Sequence, residues 1–121
     1  MLVDTSVWVR HLREGDASLA AALERAEVWT HPWVIGELAF GRLADRAAVL
    51  GHLRALPTTP VASVEEAMAL IERCALMGRG IGWVDVHLLA SALLVGTRIW
   101  TLDGRLGAVA AELGVAAEHA G

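Results

Sequence analysis

Apolar residues along the chain alternate between short continuous runs and helical spacing. Leu2 and Val3 form a first buried run that stops at Asp4, so the sequence predicts a short strand over about Leu2 to Asp4. A brief helix is expected from about Ser6 to Arg13, broken by Gly15. Asp16 or Ser18 can cap a second helix with Leu19, Ala22, Leu23 and Ala26 on one face. EVWTH, residues 27–31, reads as the next extended segment. Pro32 suits the first turn of a helix that carries Ile35, Leu38 and Leu43, with Glu37 on a different face. Asp45 can cap a helix from Arg46 to Leu56. The PTTP stretch at 57–60 ends that helix before a short extended piece at Val61 and Ala62.

The second half repeats the alternation. SVEE at 63–66 is a capping box, starting a helix expected to run to Gly78. GRGIG at 78–82 is a loop. Trp83 to Leu94 is a strongly apolar helix whose polar residues are Asp85, in its first turn, and His87. TRIWTLD at 97–103 has the β-branched alternation of a strand, and again an aspartate ends it. A helix from Gly104 to Leu113 and a short strand near Val115 complete the reading. Apolar runs alternating with helices predict α/β units around a parallel sheet. No repeat or linker interrupts the chain, so residues 1–121 are expected to form a single domain.

Composition narrows the class. With 121 residues, 55% of them hydrophobic, the chain can bury a core without disulfides or structural metal. No apolar run reaches the roughly 18 residues of a membrane span, and the N-terminus lacks signal-peptide character, so a cytoplasmic protein is expected. The single cysteine, Cys74, cannot form an internal disulfide, and no Cys/His cluster has zinc spacing. Its neighbours Leu70, Ile71 and Met77 place it in the core. The net charge of −4 excludes a protein that holds nucleic acid by bulk positive charge. Any such role must work through a local site.

Four carboxylates stand out by position: Asp4 and Asp103 at strand ends, Asp85 in a first turn, and Glu37 within a helix. In open parallel sheets the strand ends and helix starts meet along one edge, where ligands bind. Convergent carboxylates repel, and are ionised together mainly around a cation. Oxygen ligands without His or Cys select Mg²⁺ or Mn²⁺, either of which can orient and activate a water against a phosphate. The plainer alternative for each aspartate is helix capping. Asp16, Asp45, Glu65 and Glu66 are assigned to that role outright, and the plain reading of Glu37 is a solvated mid-helix residue.

LVDTSVW, the helical GEL, WVDVHLLASAL and WTLDGRL, in that order, closely resemble PIN-domain proteins, specifically the VapC-type toxins of type II toxin–antitoxin pairs. The resemblance spans essentially the whole chain. It implies a three-layer α/β/α sandwich with a mostly parallel central sheet of four or five strands. It also implies a metal-dependent endoribonuclease that hydrolyses RNA phosphodiesters with metal-activated water, leaving a 5′-phosphate and a 3′-hydroxyl. Asp4, Glu37, Asp85 and Asp103 match the family's acidic quartet. Asp4 and Asp85 would be the principal Mg²⁺ ligands, with Mn²⁺ able to substitute. Asp103 and Glu37 would complete the set, holding a second metal or the attacking water. Ser6 and Thr101 would orient the carboxylates. Gly104 and Leu106 depart from the residues common after the last aspartate. A homodimer and a small VapB-like antitoxin are further implications, the antitoxin's tail occupying the acidic groove and DNA being reached only through it.

Trp8, Trp33 and Trp83 lie near the acids, but their apolar context assigns them to packing rather than base stacking. His87, two residues past Asp85, points to another helix face. His11, His31, His52 and His119 show no paired spacing, so no histidine is expected as general base. Arg10, Arg13, Arg42, Arg79 and Arg105 are candidate phosphate contacts, Arg79 first because it precedes Asp85 in a glycine-rich loop. Val34, Phe40 and Leu43 around Glu37 fit either an exposed interface or a filled core. Two rival functions remain. A phospho-receiver domain needs a lysine, and all ten basic residues are arginine. A silent protein-binding module has no need of acids in all four positions.

Overall fold

The computed structural model describes residues 1–118, so His119 lies outside the described residues. Two strands pair in parallel, β1 (Leu2–Val3) and β2 (Ile99–Trp100), with Leu2 opposite Ile99 and Val3 opposite Trp100. Among the described residues three single parallel bridges extend the row: Leu2 with Trp29, Thr30 with Thr58, and Ile99 with Ala116. The expected extended segments at 27–31 and near Val115 therefore pair, but only through single bridges. At the other edge it is Thr58 that pairs, not Val61 or Ala62. Buried Leu2, Val3, Ile99 and Trp100 anchor the core, as fully buried parallel strands do.

Among the described residues seven helices surround this row: α1 (Thr5–Glu14), α2 (Ala17–Glu24), α3 (Pro32–Phe40), α4 (Arg46–Ala55), α5 (Val64–Cys74), α6 (Trp83–Val95) and α7 (Gly104–Glu112). Their starts follow the sequence closely. The Asp16 carboxylate accepts from Leu19 N, and Ser63 with Glu66 forms the reciprocal capping box. α6 is the central element, with every residue from Val86 to Ala92 buried.

Several expectations need correction. α5 stops at Cys74 rather than Gly78, because Ala75 takes the left-handed conformation (φ 51°) and ends the helix. Cys74 is half-buried at the core's edge, and Met77 is exposed. Ala26 lies beyond α2, also left-handed and exposed, so it leaves the buried face of Leu19 and Ala22. Asp45 is itself left-handed and makes no capping bond. Val34 is buried and Leu43 half-buried, which leaves Phe40 as the exposed member of that trio.

Two buried histidines hold the start of α3 against α6. His31 Nδ1 accepts from Trp33 N at 3.0 Å, a bond open only to the unprotonated nitrogen. Its Nε2 and both nitrogens of His87 have no partner among the described residues. Burial, then the neighbouring His87, lowers the pKa of His31 to about 4, and burial lowers that of His87. The unfolded chain therefore binds more protons between pH 6.5 and 4, so stability present above pH 6.5 is lost as pH falls through this window. About 3 kcal/mol is expected to disappear on account of His31. Urea midpoints measured down this range should fall, and His31→Asn, which keeps a capping acceptor, should flatten the dependence. A midpoint that is flat in the wild type would contradict this.

Candidate active site

β1 delivers Asp4 to the end of the sheet, where its main-chain N donates to Trp100 O at 2.9 Å. The side chain is buried, 6% exposed, and accepts three bonds. Oδ1 takes Thr5 N at 2.7 Å, and Oδ2 takes Ser6 Oγ at 2.9 Å and Thr101 Oγ1 at 2.6 Å. Asp4 is thus both cap of α1 and member of a polar knot. The two hydroxyls link the ends of both strands: Ser6 Oγ accepts from Leu102 N at 2.9 Å, and Thr101 Oγ1 accepts from Asp103 N at 3.0 Å. Ser6 and Thr101 together fix one carboxylate oxygen of Asp4.

The other three acids come from separate elements. Asp103 starts α7, its Oδ1 accepting from Arg105 N and Leu106 N. Asp85, in the first turn of α6, accepts from Gly82 N at 2.9 Å. Glu37, exposed on α3, accepts from Thr5 Oγ1 at 2.7 Å. Thr5, the residue after Asp4, was not singled out in the sequence, although its hydroxyl beside the first acid was the available signal. Through it α1 joins Asp4 to Glu37.

Electrostatics ties the four together. The Asp85 pKa is raised, chiefly by burial and further by repulsion from Asp4, Asp103 and Glu37, against the lowering bond from Gly82. One carboxylate thus feels the other three. Among the described residues no three acidic, histidine or cysteine side chains form a ready-made metal cage. The donor set is nevertheless all carboxylate and hydroxyl oxygen, which fits a hard divalent cation in chemistry. Such a cation would relieve the repulsion borne by Asp85.

The remaining candidates sort by their partners. Arg79, the arginine expected to contact a phosphate first, is paired with Glu112 at 2.9 Å, and Arg10 is paired with Asp16. His87 is buried between rings, 4.0 Å from Trp33 and 4.7 Å from Trp83 by centroid. Trp8 is buried, Trp33 half-buried and Trp83 partly exposed.

The family model described as the PIN domain matches residues 1–112. The chain is 50% identical over 117 residues to proteins named Ribonuclease VapC32 from two strains of Mycobacterium tuberculosis, CDC 1551 / Oshkosh and H37Rv. Each alignment covers 96% of this chain and 94% of the relative. With a family match over nearly the whole chain and half its residues shared with these relatives, the chain belongs to the PIN-domain family, in its VapC group.

Proposed function

We propose that the chain is a divalent-metal-dependent endoribonuclease of the VapC type, with Asp4, Glu37, Asp85 and Asp103 as its catalytic acids. The observation that carries this reading is the match of the PIN-domain family model over residues 1–112, a span that contains all four acids. Asp4, Asp85 and Asp103 would hold Mg²⁺, with Mn²⁺ able to replace it. The ion would supply an activated water and neutralise charge on the phosphate under attack. Ser6 and Thr101 keep the Asp4 carboxylate aimed, and Thr5 holds Glu37 through its hydroxyl.

The same reading carries a small VapB-like antitoxin, DNA contact only through that antitoxin, a homodimer and a cytoplasmic setting. No helix among the described residues is long and apolar enough to cross a membrane. The three single bridges beside β1 and β2 fit a four- or five-stranded sheet within a single three-layer α/β/α domain. Purified protein should cut single-stranded RNA with Mg²⁺ or Mn²⁺, leaving 5′-phosphate and 3′-hydroxyl ends, and should stop on adding EDTA. Metal-independent cutting, or none in any divalent ion, would overturn the reading.

Thr101 supplies a graded test. Thr101→Val removes the 2.6 Å bond to Asp4 Oδ2 and the acceptor for Asp103 N. A loss of about 10- to 100-fold in metal affinity or cleavage is expected, with Thr101→Ser restoring most of it. Equal failure of the Val and Ser variants would argue against an orienting role.

A further inference from the structure

Glu37 stands between two recesses. The groove between α1 and α3, of about 150 Å³, is lined by Thr5, Arg13 and Arg42 over an apolar floor that includes Leu38 and Leu43. On the other side lies a wider recess of about 590 Å³, lined by Pro32, Trp33, Gly36, Phe40 and Val84. Glu37 lines both.

The arginines are distinguished by what already engages them. Arg10, Arg25 and Arg79 are in ion pairs, and Arg46 and Arg98 donate to main-chain carbonyls. The Arg105 guanidinium lies over Gly80, so closely that a Cβ there would meet it at 2.6 Å. Arg13 and Arg42 make no such contact among the described residues, and they share one groove. Two unpaired guanidiniums beside a carboxylate site, in a chain of net charge −4, are complementary to a phosphate.

The opposite recess has a different chemistry. Phe40 is 96% exposed, unusual for a large apolar ring. Trp33 is held by its contact with His87, and Gly36, one turn before Phe40, leaves its floor open, with nothing within 4 Å of where a Cβ would stand. A flat apolar ring suits this surface, as unpaired bases suit aromatic side chains.

We propose that single-stranded RNA crosses Glu37, a backbone phosphate held by Arg13 and Arg42 and an unstacked base lying on Phe40 and Trp33. This strand path rests on the endoribonuclease reading and adds to it which residues grip the substrate. The test is fluorescence anisotropy with a short labelled single-stranded RNA of mixed sequence, across a salt series, in the Asp4→Asn background so that the strand stays intact. Arg13→Ala with Arg42→Ala should weaken binding at least about tenfold and lower the slope of log affinity against log salt by about 0.7, the share of one phosphate on a single strand. Phe40→Ala should weaken binding about tenfold with the slope unchanged. Arg54→Ala, outside both recesses, should bind as the parent does. Unchanged affinity and slope in the double arginine variant, beside normal wild-type cleavage, overturn the strand path alone. Absence of metal-dependent cleavage by the wild type overturns the reading beneath it. A Phe40→Ala protein that changes its sedimenting mass without RNA, while binding RNA normally, assigns the recess to a second copy and also overturns the proposal.

Discussion

Asp4→Asn is expected to lower metal-dependent RNA cleavage by about a thousandfold or more while leaving the protein folded. The substitution keeps the shape and one acceptor oxygen, so Thr5 N retains its cap. The new amide meets Ser6 Oγ and Thr101 Oγ1, hydroxyls that rotate to accept as readily as they donate. Only the charge is lost, and with it the proposed metal ligand. A melting temperature within a few degrees of the wild type, together with loss of cleavage, is the expected pair of results. Cleavage near the wild-type rate would remove Asp4 from the site. Asp4→Ala is a poorer probe, because it also deletes three bonds at a buried position and confounds folding with chemistry.

Asp85→Asn should abolish cleavage to a similar degree, yet raise the melting temperature of the metal-free protein. Its folded pKa lies above the ordinary value, so its ionisation costs the folded state more than the unfolded one. That contribution to stability is complete below the ordinary aspartate pKa and is lost as pH rises through the raised folded value. At neutral pH the metal-free protein therefore carries a strained carboxylate, which asparagine removes while still able to accept from Gly82 N. Site strain of this kind is a recurrent cost of function. Thermal melts of the two proteins in EDTA and in Mn²⁺ check it. The variant should melt higher in EDTA, and Mn²⁺ should stabilise the wild type alone. A variant less stable in EDTA would contradict the electrostatic basis of the site.

Asp4 was legible because two apolar residues run into it and two hydroxyls follow, and Asp103 because it ends the β-branched run before α7. Asp85 was legible as the first-turn acid of an otherwise apolar helix. Capping does not preclude the proposed site role: Asp4 and Asp103 accept main-chain bonds at helix starts, and Asp4 also gathers Ser6 and Thr101. The end of α5 was not legible, because Ala75 adopts a conformation that local propensity assigns to Gly78, three residues on. The edge segment was not legible either: Val61 and Ala62 look extended, but the bridge at that edge forms at Thr58. The arginines were least legible of all. Whether Arg79 is free depends on Glu112, which is far away in sequence and declares itself only through tertiary contact.

The joint action of the acids on one cation is tested most directly by Mn²⁺ uptake, read from the loss of the free-ion electron paramagnetic resonance signal. Wild-type protein should take up the ion at neutral pH, and Asp4→Asn and Asp85→Asn should each reduce that uptake to the level of a protein without a site. Equal uptake by the wild type and both variants would contradict a metal held between these carboxylates.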